Sequence, residues 1–161
     1  EYAGIDEETA RKAVGIYRER YAPVGIYENE LYPGIPEMFS GLKQRGYKLA
    51  IASSKPENFV KIVAEYFHID SYFDEMVGSE PEGRRTNKTE VIEETLKRLG
   101  FSEHRDQVIM VGDKEHDVFG ARRAGLECIA VSYGYGTEEE LKNAHPFKIV
   151  NSAEEILDFF A

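Results

Sequence analysis

Apolar positions in this chain alternate between two rhythms from Ile35 onward, one of helical period and one of short unbroken runs. Ile35, Met38, Phe39 and Leu42 share one helical face that ends at Gly46, and Tyr47-Lys48-Leu49-Ala50-Ile51-Ala52 follows as a strand. A helix over 57–67, a weaker strand over 73–78 and a helix opening at Lys88 come next. That last helix carries Val91, Ile92, Thr95, Leu96 and Leu99 and stops at Gly100. Val108-Ile109-Met110-Val111 reads as a buried parallel strand, Phe119, Ala121 and Ala124 as a short helix, and Glu127 to Val131 as another strand. A helix from Thr137 to about Asn143, a short strand over 147–150 and a last helix capped by Ser152 complete the series. Strands alternating with helices predict an α/β fold, a doubly wound parallel sheet with helices on both faces.

The segment before Ile35 has a different rhythm. Asp6 can cap a helix running to Tyr21, with Glu7 and Glu8 in its first turn and Ala10, Ala13, Val14 and Tyr17 at helical spacing. Tyr27 to Gly34 lacks a sustained period and ends in a Pro33-Gly34 turn signal, which predicts a hinge. The expected division is therefore 1–30 and 31–161. Tyr17, Arg18 and Tyr21 can face a ligand, but at that spacing they read more readily as core.

Composition narrows the picture. The 161 residues fit one main domain, and 42% hydrophobic content can build its core. A net charge of -10 and a pI near 5.0 argue against nucleic acid or an anionic membrane as partner. An anionic substrate must then be met by a few placed cations. Cys128 is the only cysteine, which excludes an internal disulfide and, in its apolar run, reads as a buried thiol of a reducing compartment, the cytoplasm. No apolar run is long enough to span a bilayer, and no basic-then-apolar leader opens the chain. The first residue is not Met, so a processed or truncated chain is expected. His68, His104, His116 and His145 lack ligand spacing.

Candidate chemistry gathers at the predicted strand ends. Asp113 follows Gly112 at the tip of a strand, and Asp117 falls in the first turn of the next helix, so both carboxylates can reach one crevice. Their repulsion is offset by a cation, and few hard oxygen ligands suit Mg²⁺; an acidic helix start of purely structural use has the same sequence. Ser53 and Ser54, between a strand and a helix, can cradle a phosphate or simply cap the helix. Lys88 in a first helical turn opposes the macrodipole, which a nearby anion or plain solvation would explain. Arg84 and Arg85 read as loop charge able to assist an anionic substrate.

Taken together, Ser53, Lys88 and Gly112-Asp113-x-x-x-Asp117 resemble, in order and spacing, the second, third and fourth motifs of the haloacid-dehalogenase-like (HAD) hydrolases. The resemblance runs from about Leu31 to Ala161, and Tyr32-Pro33-Gly34, Ser53-Ser54-Lys55-Pro56 and Gly134-Tyr135-Gly136 make the phosphoglycolate-phosphatase-like branch the nearest match. It implies a HAD-like Rossmannoid core over 31–161 and, over 1–30, the remnant of an inserted helical cap domain. It also implies Mg²⁺-dependent hydrolysis of a small-molecule phosphate ester through an aspartyl-phosphate. Ser53, Ser54 and Lys88 would bind the phosphoryl group, Ser53 and Lys88 as catalytic residues, and Asp113 and Asp117 would hold the metal. Phosphoglycolate, a sugar phosphate or a nucleoside monophosphate are all open, as are a phosphomutase and a non-catalytic relative that binds phosphate or a protein. Oligomeric state cannot be read.

The family's first motif, Asp-x-Asp on an apolar strand, has no counterpart here, so the attacking carboxylate is expected upstream of these residues. Its strand would lie between those ending in Ser53 and Asp113. Without it the two strands should stand roughly 10 Å apart, about two strand spacings. Direct pairing of 47–52 with 107–111 would exclude a missing strand.

Overall fold

A computed structural model describes residues 4, 6–80, 85 and 87–161, in two compact units, Glu1–Glu30 and Leu31–Ala161. In the first, α1 (Glu7–Tyr21) starts on the expected cap, where the Thr9 N–H donates to Asp6 Oδ1 at 2.9 Å. Arg20 forks onto Glu28 at 2.8 and 2.9 Å, and Tyr17 stacks on Tyr21 at 5.2 Å. The expectation that its apolar positions form core is not met: α1 buries no residue, and Val14 and Tyr17 are 46% and 61% exposed. Among the described residues of its own unit the helix has only a 3₁₀ turn at Gly25–Tyr27 to pack on, too little surface to cover its apolar stripe.

The second unit runs α2 (Ile35–Gln44), β1 (Ala50–Pro56), α3 (Glu57–Tyr66), β2 (Glu75–Ser79), α4 (Lys88–Leu99), β3 (Ile109–Gly112), α5 (Glu115–Arg123), β4 (Glu127–Val131), α6 (Glu138–Ala144), β5 (Lys148–Val150) and α7 (Ala153–Phe159). Every strand pair is parallel, as the alternation predicts. On β4 the side chains alternate between two cores. Cys128 and Ala130 pack with Ile92, Leu96, Val118 and Leu141, while Ile129 and Val131 pack with Met38, Leu42, Val150 and Ile156. Helices therefore cover both faces. Burial pushes the Cys128 thiol up to about 12, which keeps it protonated and inert.

Strand β1 starts later than expected and continues through Ser53-Ser54-Lys55-Pro56. The cause is local. Gly46, with φ of 84°, lets the Tyr47 N–H close back on Leu42 O at 3.1 Å, so Tyr47 still belongs to the end of α2. The Leu49 N–H then bonds Asp74 Oδ2 at 2.8 Å and not a strand neighbour.

The strands form two sheets, β1-β2 and β3-β4-β5, and β1 does not pair with β3. Each of these two strands keeps one edge without a strand partner among the described residues. Strand β3, expected to be buried, is accordingly only half covered, with Val111 37% exposed, whereas β4 is buried along four of its five residues. Helix α4 packs on β1, β2 and α5 and so ties one sheet to the helices of the other.

Candidate active site

The carboxyl end of β3 delivers Asp113. Its Oδ2 accepts the Tyr135 N–H at 2.8 Å and its carbonyl accepts the Gly136 N–H at 2.9 Å, so the loop after β4 is laced to the tip of β3. Only glycines fit there: a Cβ on Gly134 would lie 2.2 Å from Asp113 Cβ, and one on Gly136 2.2 Å from the Asp113 carbonyl. No donor among the described residues reaches Asp113 Oδ1.

Asp117, in the first turn of α5, is 6% exposed and fully engaged. Its Oδ2 accepts the N–H groups of Asp113 at 3.0 Å and Lys114 at 3.1 Å, closing the turn that aims Asp113, and its Oδ1 accepts from Lys88 Nζ at 2.8 Å. Gly112 is required beside it, because a Cβ there would meet Asp117 Cβ at 2.3 Å.

Lys88 opens α4 behind the Asn87 cap, whose side chain accepts the Glu90 N–H at 3.0 Å. Its ammonium also donates to the Ala52 carbonyl at 2.9 Å, on the last residue before Ser53 in β1. An ammonium has three N–H groups, and these two contacts leave one. The Lys88 stem passes α5 at Gly120, where a Cβ would lie 2.5 Å from Lys88 Cγ. The lysine's cost at a helix N-terminus is thus offset by a buried carboxylate and a carbonyl. Lys88 bridges the split between the sheets.

Ser53 Oγ accepts the Lys55 N–H at 3.2 Å and caps no helix; the residue at the N-terminus of α3 is Pro56, which has no side-chain cap. Ser54 is exposed. Arg85 is half-buried against Glu80 at 2.9 Å and Glu57 at 3.5 Å, so its charge is spent within the fold. Arg84 lies outside the described residues.

The sequence reading thus has Lys88, Asp113 and Asp117 meeting in one connected hydrogen-bond chain, with Ser53 adjacent to its Ala52 end. It missed Ala52, a backbone carbonyl within an apolar run that carries no signal of its own. It also missed Gly120, which stands in a helical run with no turn to explain it.

The donor set suits a hard cation in part. Asp113 Oδ1 is a carboxylate oxygen without a partner, while both Asp117 oxygens are occupied, and no three His, Cys, Asp or Glu side chains among the described residues can enclose a metal. Such an ion would keep several waters or take further ligands from substrate.

Residues 2–131 match the model of the haloacid dehalogenase-like hydrolase family. The chain belongs to that family. It is 43% identical over 143 residues to a 5'-nucleotidase of Pseudomonas aeruginosa, a match covering 89% of this chain and 64% of the relative. A phosphoglycolate phosphatase of the same organism is 27% identical over 157 residues, covering 98% of this chain and 57% of the relative. The chain therefore spans about three-fifths of the length of these curated relatives. A crystal structure described as a predicted phosphatase from Clostridium acetobutylicum superposes with a TM-score of 0.94 at 42% identity, covering 99% of this chain and 73% of that one. Membership accounts for the parallel α/β core.

Proposed function

We propose that the whole protein is a Mg²⁺-dependent phosphatase that hydrolyses a small phosphate monoester through an aspartyl-phosphate. The observation that carries this reading is the Lys88 ammonium, fixed by Ala52 O and Asp117 Oδ1 with one N–H left over at the strand ends. A fixed cation there stabilises charge building on phosphoryl oxygens at no cost in reorganisation.

Ser53 Oγ and the Ser54 N–H hydrogen-bond the phosphoryl oxygens, and Lys88 neutralises them together with the attacking carboxylate. That carboxylate belongs to a strand outside these residues, seated between the edges of β1 and β3; its oxygen bonds phosphorus as the ester P–O bond breaks and the alcohol leaves with a proton from the second Asp of that strand's motif, and water then cleaves the acyl phosphate to phosphate and the free carboxylate. Asp113, whose Oδ1 meets no donor among the described residues, would hold Mg²⁺, and Asp117 would support it by fixing Asp113 and Lys88. The ion, when bound, polarises the phosphoryl group. Residues 1–30 are the end of a helical cap, whose remainder contributes to substrate choice. The kinship with a 5'-nucleotidase favours nucleoside monophosphates among the esters open to it.

The test is turnover of a panel of phosphate monoesters by the full-length protein, with Mg²⁺ or with EDTA, for wild type and Asp113→Asn. Activity should fall at least about 10²-fold on metal removal and on substitution. Turnover indifferent to both defeats the assignment.

A further inference from the structure

The strand that carries Ser53 and Ser54 is not paired evenly with its neighbour. Ala52 lies opposite Val77 and Pro56 opposite Ser79, so Ser53, Ser54 and Lys55 face Gly78 alone and bulge from the ladder. Gly78 lets β2 press against the base of that bulge: a Cβ there would lie 2.5 Å from Glu57 N and closer still to the Lys55 carbonyl. Both flanks of the bulge are held by the segment that opens α4. On one flank Lys88 Nζ bonds the Ala52 carbonyl at 2.9 Å. On the other, Glu57, which follows the bulge directly after Pro56, meets Arg85 Nη2 at 3.5 Å, and Arg85 shortly precedes Lys88 in the chain. Glu57 and Gly78 meet on the β2 side of β1, so this second tether is complete without the strand expected at the other edge of β1.

Arg85 is held there at a cost. Its backbone is left-handed, with φ of 53°, a conformation that a non-glycine residue keeps only where its surroundings over-determine it. Its side chain is 15% exposed, with Glu80 at 2.9 Å and Glu94 at 3.9 Å besides Glu57. Glu57 does not need it for neutrality, since Arg98 at 3.1 Å and Lys61 at 3.0 Å already face the same carboxylate. What Arg85 adds is a link from Glu57 to the residues just ahead of Lys88. We propose that Arg85 is a positioning residue for phosphoryl transfer: through Glu57 it fixes the far flank of the bulge at 53–55, so that Ser53 Oγ, the Ser54 N–H and the Lys88 ammonium keep one spacing around a phosphoryl group. This rests on the phosphatase reading and adds a residue to it. The groups that Arg85 sets reach only phosphoryl oxygens, so its effect is the same whatever alcohol the ester carries.

The experiment is a double-mutant cycle in kcat/KM between Arg85→Met and Ser53→Ala in the full-length protein, with AMP and p-nitrophenyl phosphate as substrates. Arg85→Met should lower kcat/KM about tenfold on both esters, and by less than about threefold once Ser53 is alanine, because the hydroxyl it positions is gone. A general loss of stability has no reason to depend on Ser53. An equal loss in both backgrounds overturns the proposal, as does no loss at all or a loss that differs more than about threefold between the esters. Glu57→Gln, which keeps the side chain's size and removes the charge that Arg85 meets, should show the same coupling to Ser53→Ala, and decides the matter if Arg85→Met does not fold. A wild type that turns over neither ester defeats the underlying phosphatase reading instead. Calorimetric binding of inorganic phosphate then decides the positioning role: weakening by Arg85→Met that shrinks in the Ser53→Ala background supports it, and additive weakening or no binding by wild type overturns it.

Discussion

Replacing Gly120 by alanine sets two effects of opposite sign against each other at the wall of the site. An alanine inside a helix gains about 1 kcal/mol over glycine from backbone entropy. At this position the new Cβ would lie 2.5 Å from Lys88 Cγ and 2.8 Å from Lys88 Cβ. A rotamer change can remove the first contact, but Lys88 Cβ is fixed to the α4 backbone, so the second is relieved only by separating α4 from α5. Overpacking of that kind costs about 1–3 kcal/mol, so the net change is a destabilisation of roughly 0–2 kcal/mol. Function responds more strongly. Lys88 Nζ holds Ala52 O at 2.9 Å and Asp117 Oδ1 at 2.8 Å, and a helix shift approaching 1 Å breaks that geometry, at a cost on the order of 10²-fold in kcat. The assay is urea unfolding and kcat/KM of full-length Gly120→Ala, with Gly15→Ala as comparator. Gly15 lies in α1 with nothing within 4 Å of its added Cβ, so that variant should gain the full helical benefit of about 1 kcal/mol. Equal stabilisation by both substitutions, with kcat/KM of Gly120→Ala within about threefold of wild type, refutes the wedge against Lys88.

The Lys88–Asp117 pair, with side chains 15% and 9% exposed, should be strongly coupled. Lys88→Met and Asp117→Asn should each destabilise by about 3 kcal/mol, and the double variant by at least about 1 kcal/mol less than their sum in urea unfolding; additivity within about 0.5 kcal/mol counts against a buried pair. Glu57 provides a pH signature. Burial alone would raise its carboxyl, but the Arg98 guanidinium at 3.1 Å and the Lys61 ammonium at 3.0 Å outweigh that and hold it below its ordinary value near 4.5. A carboxyl depressed by folding stabilises above its unfolded value and loses that contribution as pH falls through the folded one. The gap in Tm between wild type and Glu57→Gln should thus be full at pH 6 and close in acid below about pH 4.5; a gap constant from pH 7 to 3 rules out the linkage.

Local patterns were legible wherever one residue dictates its own geometry. Asp6, Thr137 and Ser152 cap helices because their side-chain oxygens accept N–H groups of the first turn, and β4 falls on Glu127–Val131 as its apolar run requires. Ser53, Lys88, Asp113 and Asp117 lie on four separate segments, and their nearness to one another could be expected because parallel strands deliver their carboxyl ends to one edge. What escaped depends on absence and on contact between distant segments. The half-exposure of β3 goes with an edge that has no strand partner among the described residues, which no property of Ile109-Met110-Val111 encodes. The Ala52 carbonyl as a partner of Lys88 is a contact between residues 36 positions apart, which no local pattern encodes. The spacing of Asp117 showed that it could reach the same crevice as Asp113, but not the three donors that its oxygens accept from Asp113, Lys114 and Lys88. The charge balance has the same basis: a buried lysine at a helix N-terminus is offset here by the Asp117 carboxylate, while Asp113 Oδ1 meets no donor among the described residues.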